Sequence, residues 1–138
     1  MKPLRVLILI AIAIVGLAAC GGGEEVGAEP AAEVNEDLAQ QGEQLFTQFA
    51  CPACHSTTGQ TLVGPPLDGL YGSQVTLTTG ETVTADDAYL RESILQPDAK
   101  IVEGYATGTM AATVASEMDQ IQQGNNVDAL VEYIKSLQ

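Results

Sequence analysis

The chain has 138 residues, of which 18 are acidic, 5 are Lys or Arg and 1 is His, so its formal net charge is −13. This length supports one ordinary domain. The charge argues against nucleic-acid binding, because phosphate contacts require clustered Lys and Arg. Its 3 cysteines cannot all pair, which argues against a disulfide scaffold.

The chain opens with a predicted export signal. Lys2 and Arg5 precede an apolar run, Val6–Ala19, whose 14 residues are too few to span a bilayer. The run ends in Leu-Ala-Ala-Cys-Gly at residues 17–21, which resembles the lipobox of bacterial lipoproteins. That resemblance implies a signal peptide at residues 1–19 and lipidation of Cys20, and several acyl chains anchor a protein stably. An ordinary signal, or an uncleaved helix with a chance cysteine, is the alternative.

Residues 20–37 are predicted to be a lipidated, acidic, flexible tether. Six acids and four glycines fall within residues 21–37, with no apolar period, as in a solvated linker. Cleavage leaves 3 basic and 18 acidic side chains, a charge of −15. We therefore expect an exported protein, periplasmic or on the outer face of the cytoplasmic membrane, attached to the membrane through its lipid anchor.

From Leu38 onward the apolar pattern becomes helical, and residues 38–138 are the predicted domain. Asn35 is expected to cap the first helix. A central helix is predicted at Asp86–Leu95, with a weak Thr84–Asp87 capping box, and Asn126 is expected to cap the last helix. The predicted buried faces of the first and last helices are Leu38, Gly42, Leu45, Phe46 and Phe49, and Val127, Leu130, Val131, Ile134 and Leu137.

Two further elements are predicted between these helices. Residues 74–84 alternate in polarity around a Thr-Gly pair, which indicates a small β-hairpin that must lean on something else. A short polar helix is predicted at Ala115–Gln123. The domain is thus predicted to be mainly helical, with too few large side chains for a generous core.

Cys51, Cys54 and His55 form a C-x-x-C-H motif, the attachment signature of a c-type haem. Two thiols at this spacing on a bent helical turn reach the two vinyl groups of one porphyrin, and the imidazole that follows points at the iron. A thioredoxin-like pair needs a βαβ context, and a zinc site needs a fourth ligand that only the N-terminal Cys20 could supply. We predict one covalent haem c; a chance motif in a structural lipoprotein is the alternative.

Met110 is the predicted sixth ligand of the iron. Removal of the signal leaves two methionines, Met110 and Met118. Met110 lies in an irregular stretch containing glycines, which drapes a side chain over a flat cofactor more freely than a helix does. The alternative for either methionine is a packing role in the core, which is more common for this residue than metal binding.

Residues 38–138 resemble class I cytochromes c. The resemblance implies an all-α fold in which the N- and C-terminal helices cross, the haem is the core and the hairpin is an insertion. It also implies that the carbonyl of Pro65 holds the Nδ1 of His55. The residues that carry the resemblance are Gly42 and Phe46, the C-x-x-C-H motif, Gly-Pro-Pro-Leu at residues 64–67, the stretch from Gly104 to Met110, and the last helix with Tyr133.

Several side chains are candidates to hold the haem propionates. The hydroxyls of Tyr71 and Tyr105 are predicted to contact the haem, and Tyr89 offers a third hydroxyl. Arg91 and Lys100 are the only cations in the middle of the domain. Either one pairs a propionate or lies solvated on the surface.

Residues 70–97 are most similar to the cytochrome c domain fused to subunit II of caa3-type oxidases. Leu-Tyr-Gly-Ser at residues 70–73, Thr-Gly at residues 79–80, the stretch Tyr89–Ile94 and Pro97 carry this likeness. The chain lacks that subunit's transmembrane hairpin and copper-centre domain, so we expect a separate protein. Ala111 stands where the family usually has Pro after the ligand Met.

The resemblance implies transfer of single electrons between Fe(III) and Fe(II), with no enzyme activity of the chain's own. We predict a membrane-tethered mono-haem cytochrome of a respiratory or photosynthetic chain, either a carrier or a subunit of an alternative complex III or an oxidase. The acidity favours redox partners with a basic docking face, including those in a multi-subunit membrane complex. A peroxidase-like haem enzyme or sensor with an open sixth site is the alternative.

Overall fold

The computed structural model describes residues 33–138. The predicted signal peptide, most of the predicted tether and Cys20 lie outside the described residues. None of the helices in the described range is long and apolar enough to cross a membrane. In chain order the elements are α1 (Glu36–Gln48), a 3₁₀ turn (Cys51–Ala53), β1 (Gln74–Thr76), β2 (Thr82–Thr84), α2 (Asp87–Leu95), α3 (Thr109–Val114), α4 (Met118–Ile121) and α5 (Asn126–Ser136).

Helices α1 and α5 cross at Gly42, which confirms the crossing predicted for the terminal helices. A Cβ atom at Gly42 would lie 2.0 Å from the carbonyl oxygen of Ala129 and 2.7 Å from the Cβ of Tyr133. Only glycine therefore allows the two backbones to approach this closely. The rings of Phe46 and Tyr133 pack beside the crossing, with centroids 5.2 Å apart, a distance typical of stabilising aromatic pairs.

The first helix begins as predicted. The side chain of Asn35 accepts from the backbone N–H of Leu38 at 3.1 Å, so Asn35 is the cap. Its own backbone N–H donates to Glu132 of α5 at 2.8 Å. Residues 35–37, assigned from the sequence to the tether, therefore belong to the folded part.

Two predicted caps are wrong by one or two positions. Asp86 caps α2 by accepting from the backbone N–H of Tyr89 at 2.8 Å, because Thr84 pairs with Gln74 in the sheet. Asn126 is the first residue of α5 and its side-chain amide donates to the carbonyl of Gln120 at 2.8 Å. Asn125 occupies the cap position, and its side chain forms no capping hydrogen bond.

The β-hairpin is present and leans on the segment that follows α2. Strands β1 and β2 are antiparallel, with Val75 opposite Val83. Beyond β1, Leu77 forms a bridge with Val102, and Thr78 donates to the carbonyl of Ile101 at 2.8 Å. The hairpin therefore holds residues 101–103, which explains how so small a sheet is stable.

Two predictions for the region after Gly104 are wrong. It contains a helix, α3, where the sequence predicts an irregular stretch, and its second helix, α4, is shorter than predicted. Met110 is the second residue of α3, not part of an irregular loop. Gly108, at φ +78°, forms the turn that starts α3. The polar helix predicted at residues 115–123 shrinks to the four residues of α4, which is fixed by the buried side chain of Ile121.

Candidate functional site

A cavity that is partly open to solvent lies between α1, α2, α3, α5 and the segment after α2. Its lining is mostly apolar, including Phe46, Leu90, Leu130 and Ile134. The helices that form the fold therefore leave an apolar space beside their packed core.

The C-x-x-C-H residues line this cavity together. Ala50 adopts a left-handed conformation, with φ 55°, and ends α1. The 3₁₀ turn then brings the backbone N–H groups of Cys54 and His55 within 3.1 and 3.0 Å of the carbonyl of Cys51. As a result both thiols and the imidazole reach the same space. Burial raises the pKa of the Cys51 thiol. Before attachment, this thiol therefore stays protonated to a higher pH than an exposed cysteine does.

The imidazole of His55 is fixed by the loop that follows it. Its Nδ1 donates to the carbonyl oxygen of Pro65 at 2.8 Å. Since a carbonyl only accepts, Nδ1 carries the proton and Nε2 is left to bind a metal. Gly64 lies against the ring, where a Cβ would come within 2.5 Å of Cε1 of His55. The predicted contact between Pro65 and His55 is present in the structure.

Met110 lines the same cavity as His55, and Met118 does not line it. Tyr105 also borders the cavity. The donor set is therefore two thiols, an imidazole and a thioether around an apolar space, which fits a c-type haem.

The family model for cytochrome c matches residues 39–138. The chain belongs to the cytochrome c family. A comparison with curated proteins found no match. Members of this family bind covalent haem c, so this cytochrome c carries its haem at the motif formed by Cys51, Cys54 and His55. When bound, the haem supplies a couple that gains or loses one electron.

One predicted contact of the cytochrome c is not supported. Tyr71 does not line the cavity. Its ring lies under the ammonium group of Lys135, 5.3 Å from Nζ to the ring centroid. Burial and the nearby Asp87 carboxylate raise the pKa of Tyr71. Tyr71 thus belongs to the contact between α5, α2 and the loop before the hairpin.

The two candidate cations are separated by the fold. Arg91 forms a salt bridge with Asp128 of α5 and does not line the cavity. Lys100 does line it and donates to Glu92 of α2. Lys100 is therefore the cation that remains a candidate to pair a propionate.

Sequence reasoning missed Ser93 as part of the site of this cytochrome c. Its Oγ is buried, lines the cavity and has no hydrogen-bond partner among the described residues. The sequence did offer a signal. Ser93 shares a face of α2 with Tyr89 and Leu90, and all three residues line the cavity. A polar atom left unpaired beside the cavity fits a cofactor that carries polar groups.

The cysteines and His55 do not form a zinc site. Within residues 33–138, no three His, Cys, Asp or Glu side chains cluster in a way that could hold a metal ion. Structural zinc is held by four such ligands around one point. Cys51, Cys54 and His55 instead each line the cavity.

Proposed function

We propose that this cytochrome c is a membrane-tethered, mono-haem carrier of single electrons in a respiratory or photosynthetic chain. The observation that carries the proposal is that His55 and Met110 line one apolar cavity. A His/Met ligand pair and a buried porphyrin both raise the reduction potential, as a carrier to a terminal oxidase requires. In this role Cys51 and Cys54 hold the cofactor, and Pro65 holds the tautomer of His55.

The lining also argues against a peroxidase-like enzyme with an open sixth site. Such chemistry needs a group that moves protons beside the iron. No Asp, Glu or Arg of the described residues lines the cavity, and its one imidazole is held by Pro65. Met110 is the side chain available to close the sixth position.

The tether and the partner complex rest on the sequence. The lipobox-like residues around Cys20 support a lipid anchor, and the likeness of residues 70–97 to the caa3 domain supports an oxidase or alternative complex III as partner. Anchoring keeps the carrier close to such a complex and raises its effective concentration there.

The mouth of the cavity is uncharged in an otherwise acidic protein. Residues 33–138 contain 15 acidic side chains, yet residues 44–67 and 104–116 contain no Asp, Glu, Lys or Arg. Both stretches border the cavity, where Val63 is 61% exposed. We call the exposed lining residues the rim; they are Ala50, Val63, Ala106, Thr109 and Thr113.

We propose that the partner touches the rim with an uncharged surface, and that its basic residues act from further out. All three cations of the described residues are paired, Arg91 with Asp128, Lys100 with Glu92 and Lys135 with Glu132. The charge that remains on residues 33–138 is negative, since they hold 15 acidic side chains against these 3 cations. Long-range attraction then speeds the encounter, and apolar contact forms the complex itself.

A charge added to the rim tests this route. Val63→Glu is expected to slow oxidation of the ferrous protein by ferricyanide about threefold or more at low salt, because it repels the anion at the rim. Gln40→Glu adds the same charge on an exposed position of α1. Stopped-flow rates for the two variants give the comparison. Equal slowing by both would place electron exchange away from the rim.

Removal of the lipid site tests the tether. Cys20→Ser is expected to move most of the haem-stained protein from the membrane fraction to the soluble fraction, because no acyl chains remain to hold it. A Cys20→Ser protein that loses its signal peptide and still sediments with membranes would rule out the lipid anchor.

A native gel tests whether the protein is a free carrier. Wild-type membranes are solubilised in mild detergent, run on the gel and stained for haem, which separates a free carrier from a subunit of a large complex.

A further inference from the structure

The segment between α2 and α3 leads to Met110, and two attachments fix it besides the Lys100–Glu92 ion pair described above. Near its middle it pairs with the hairpin, where Glu103 donates its backbone N–H to the carbonyl of Thr76 at 2.9 Å. The second attachment lies close to Met110 and is made by Asp98. It joins the beginning of the segment directly to its end.

Asp98 receives two hydrogen bonds through one oxygen. Its Oδ1 accepts from the backbone N–H of Gly108 at 2.7 Å and from the hydroxyl of Thr107 at 3.3 Å. Gly108 is the residue before α3 and no side chain caps that helix. Met110 is only two residues further on. The carboxylate therefore fixes the turn from which the Met110 side chain enters the cavity.

We propose that Asp98 is a positioning residue for Met110, which it holds in place as the sixth ligand of the haem. The inference rests on the proposed ligand role of Met110. α3 has only six residues, so its own hydrogen bonds hold it weakly. Bonds to a charged acceptor are stronger than neutral ones. Without Asp98 the turn at residues 107–108 gains freedom, and Met110 leaves the iron more often.

The test compares binding of imidazole to the ferric holoprotein, since imidazole enters only when Met110 leaves. Asp98→Ala is expected to raise the apparent imidazole affinity roughly five- to tenfold and to weaken the far-red Met–iron absorption band. Asp98→Asn keeps an oxygen acceptor at the same place and is expected to restore most of the wild-type affinity. Asp119→Ala removes the same charge from an exposed position on α4 and is expected to change the affinity little.

The outcomes separate this inference from the proposed function. If wild-type protein shows the Met–iron band and Asp98→Ala leaves both band and imidazole affinity unchanged, Asp98 does not position Met110, even if the melting temperature falls. An equal effect of Asp119→Ala would also overturn the inference, because it would show a charge effect alone. If the wild-type band is absent, the ligand role of Met110 is what has failed.

Discussion

Met110→Ala is expected to open the sixth position of the iron and to lower the reduction potential by on the order of 0.1 V or more. Axial-ligand identity sets haem potentials over a range of about 0.8 V, so loss of the thioether has a large effect. Met110 lines the cavity that holds the C-x-x-C-H residues. The measurements are a potentiometric titration and the absorption spectrum of the ferric protein.

Met118→Ala is the matched control. Met118 packs against the core but does not line the cavity. We expect its replacement to lower stability and to leave the spectrum and potential close to those of the wild type. A Met110→Ala protein with an unchanged spectrum would show that Met110 is not the ligand. A wild-type protein that already binds cyanide rapidly would favour the enzyme or sensor alternative.

Gly42→Ala is expected to destabilise the holoprotein by about 3 kcal/mol or more. The added Cβ would overlap the carbonyl of Ala129, which belongs to the backbone of α5 and cannot turn aside. For a domain of this size the melting temperature falls by roughly 10–20 °C. Thermal unfolding followed by circular dichroism gives the value.

Whether Gly42→Ala lowers or raises the melting temperature decides between a helix crossing at this residue and an exposed helix position. In an exposed helix the same substitution stabilises by about 1 kcal/mol, because alanine is the better helix former. The difference between Gln44→Gly and Gln44→Ala, at an exposed position of the same helix, measures the change that propensity alone produces. A melting temperature for Gly42→Ala equal to or above that of the wild type would show that α1 and α5 do not cross at this glycine.

The elements that the sequence predicts well are those whose signals are local. The periodic apolar faces of α1 and α5 and the alternating pattern of the hairpin each lie within one short stretch. The cap of α2 was misplaced because Thr84 is taken by the sheet. The start of α3 was missed because its first residues, Thr109 and Met110, follow a glycine-containing turn that Asp98 stabilises from ten residues away.

The residues of the candidate site also differ in whether their signals are local in the sequence. Cys51, Cys54 and His55 are a local motif, and the contact between His55 and Pro65 was implied by resemblance. Tyr71 was predicted to contact the haem because its hydroxyl is a suitable partner for a propionate. Its orientation is decided by Lys135 and Asp87, which come from other helices. Composition and spacing carry no information on that packing.

The rim is a property of two distant stretches taken together. Each lacks charge, and this can be read from the sequence. Only the fold brings residues 50–63 and 106–113 to the same opening. Net charge, from which a partner with a basic docking face is predicted, does not report where the charges lie on the protein.

The position of the two attachment cysteines has a consequence for refolding. The cavity is lined by segments from α1 to α5, so the haem contacts join parts of the chain that are far apart, with His55 and Met110 separated by 55 residues. Thioether bonds keep the cofactor on the unfolded chain, where its effective concentration is about millimolar for short connections. Recovery of the native fold is therefore unimolecular. A chain that unfolds therefore regains its cofactor contacts without capturing a second molecule, and at a rate independent of the protein concentration.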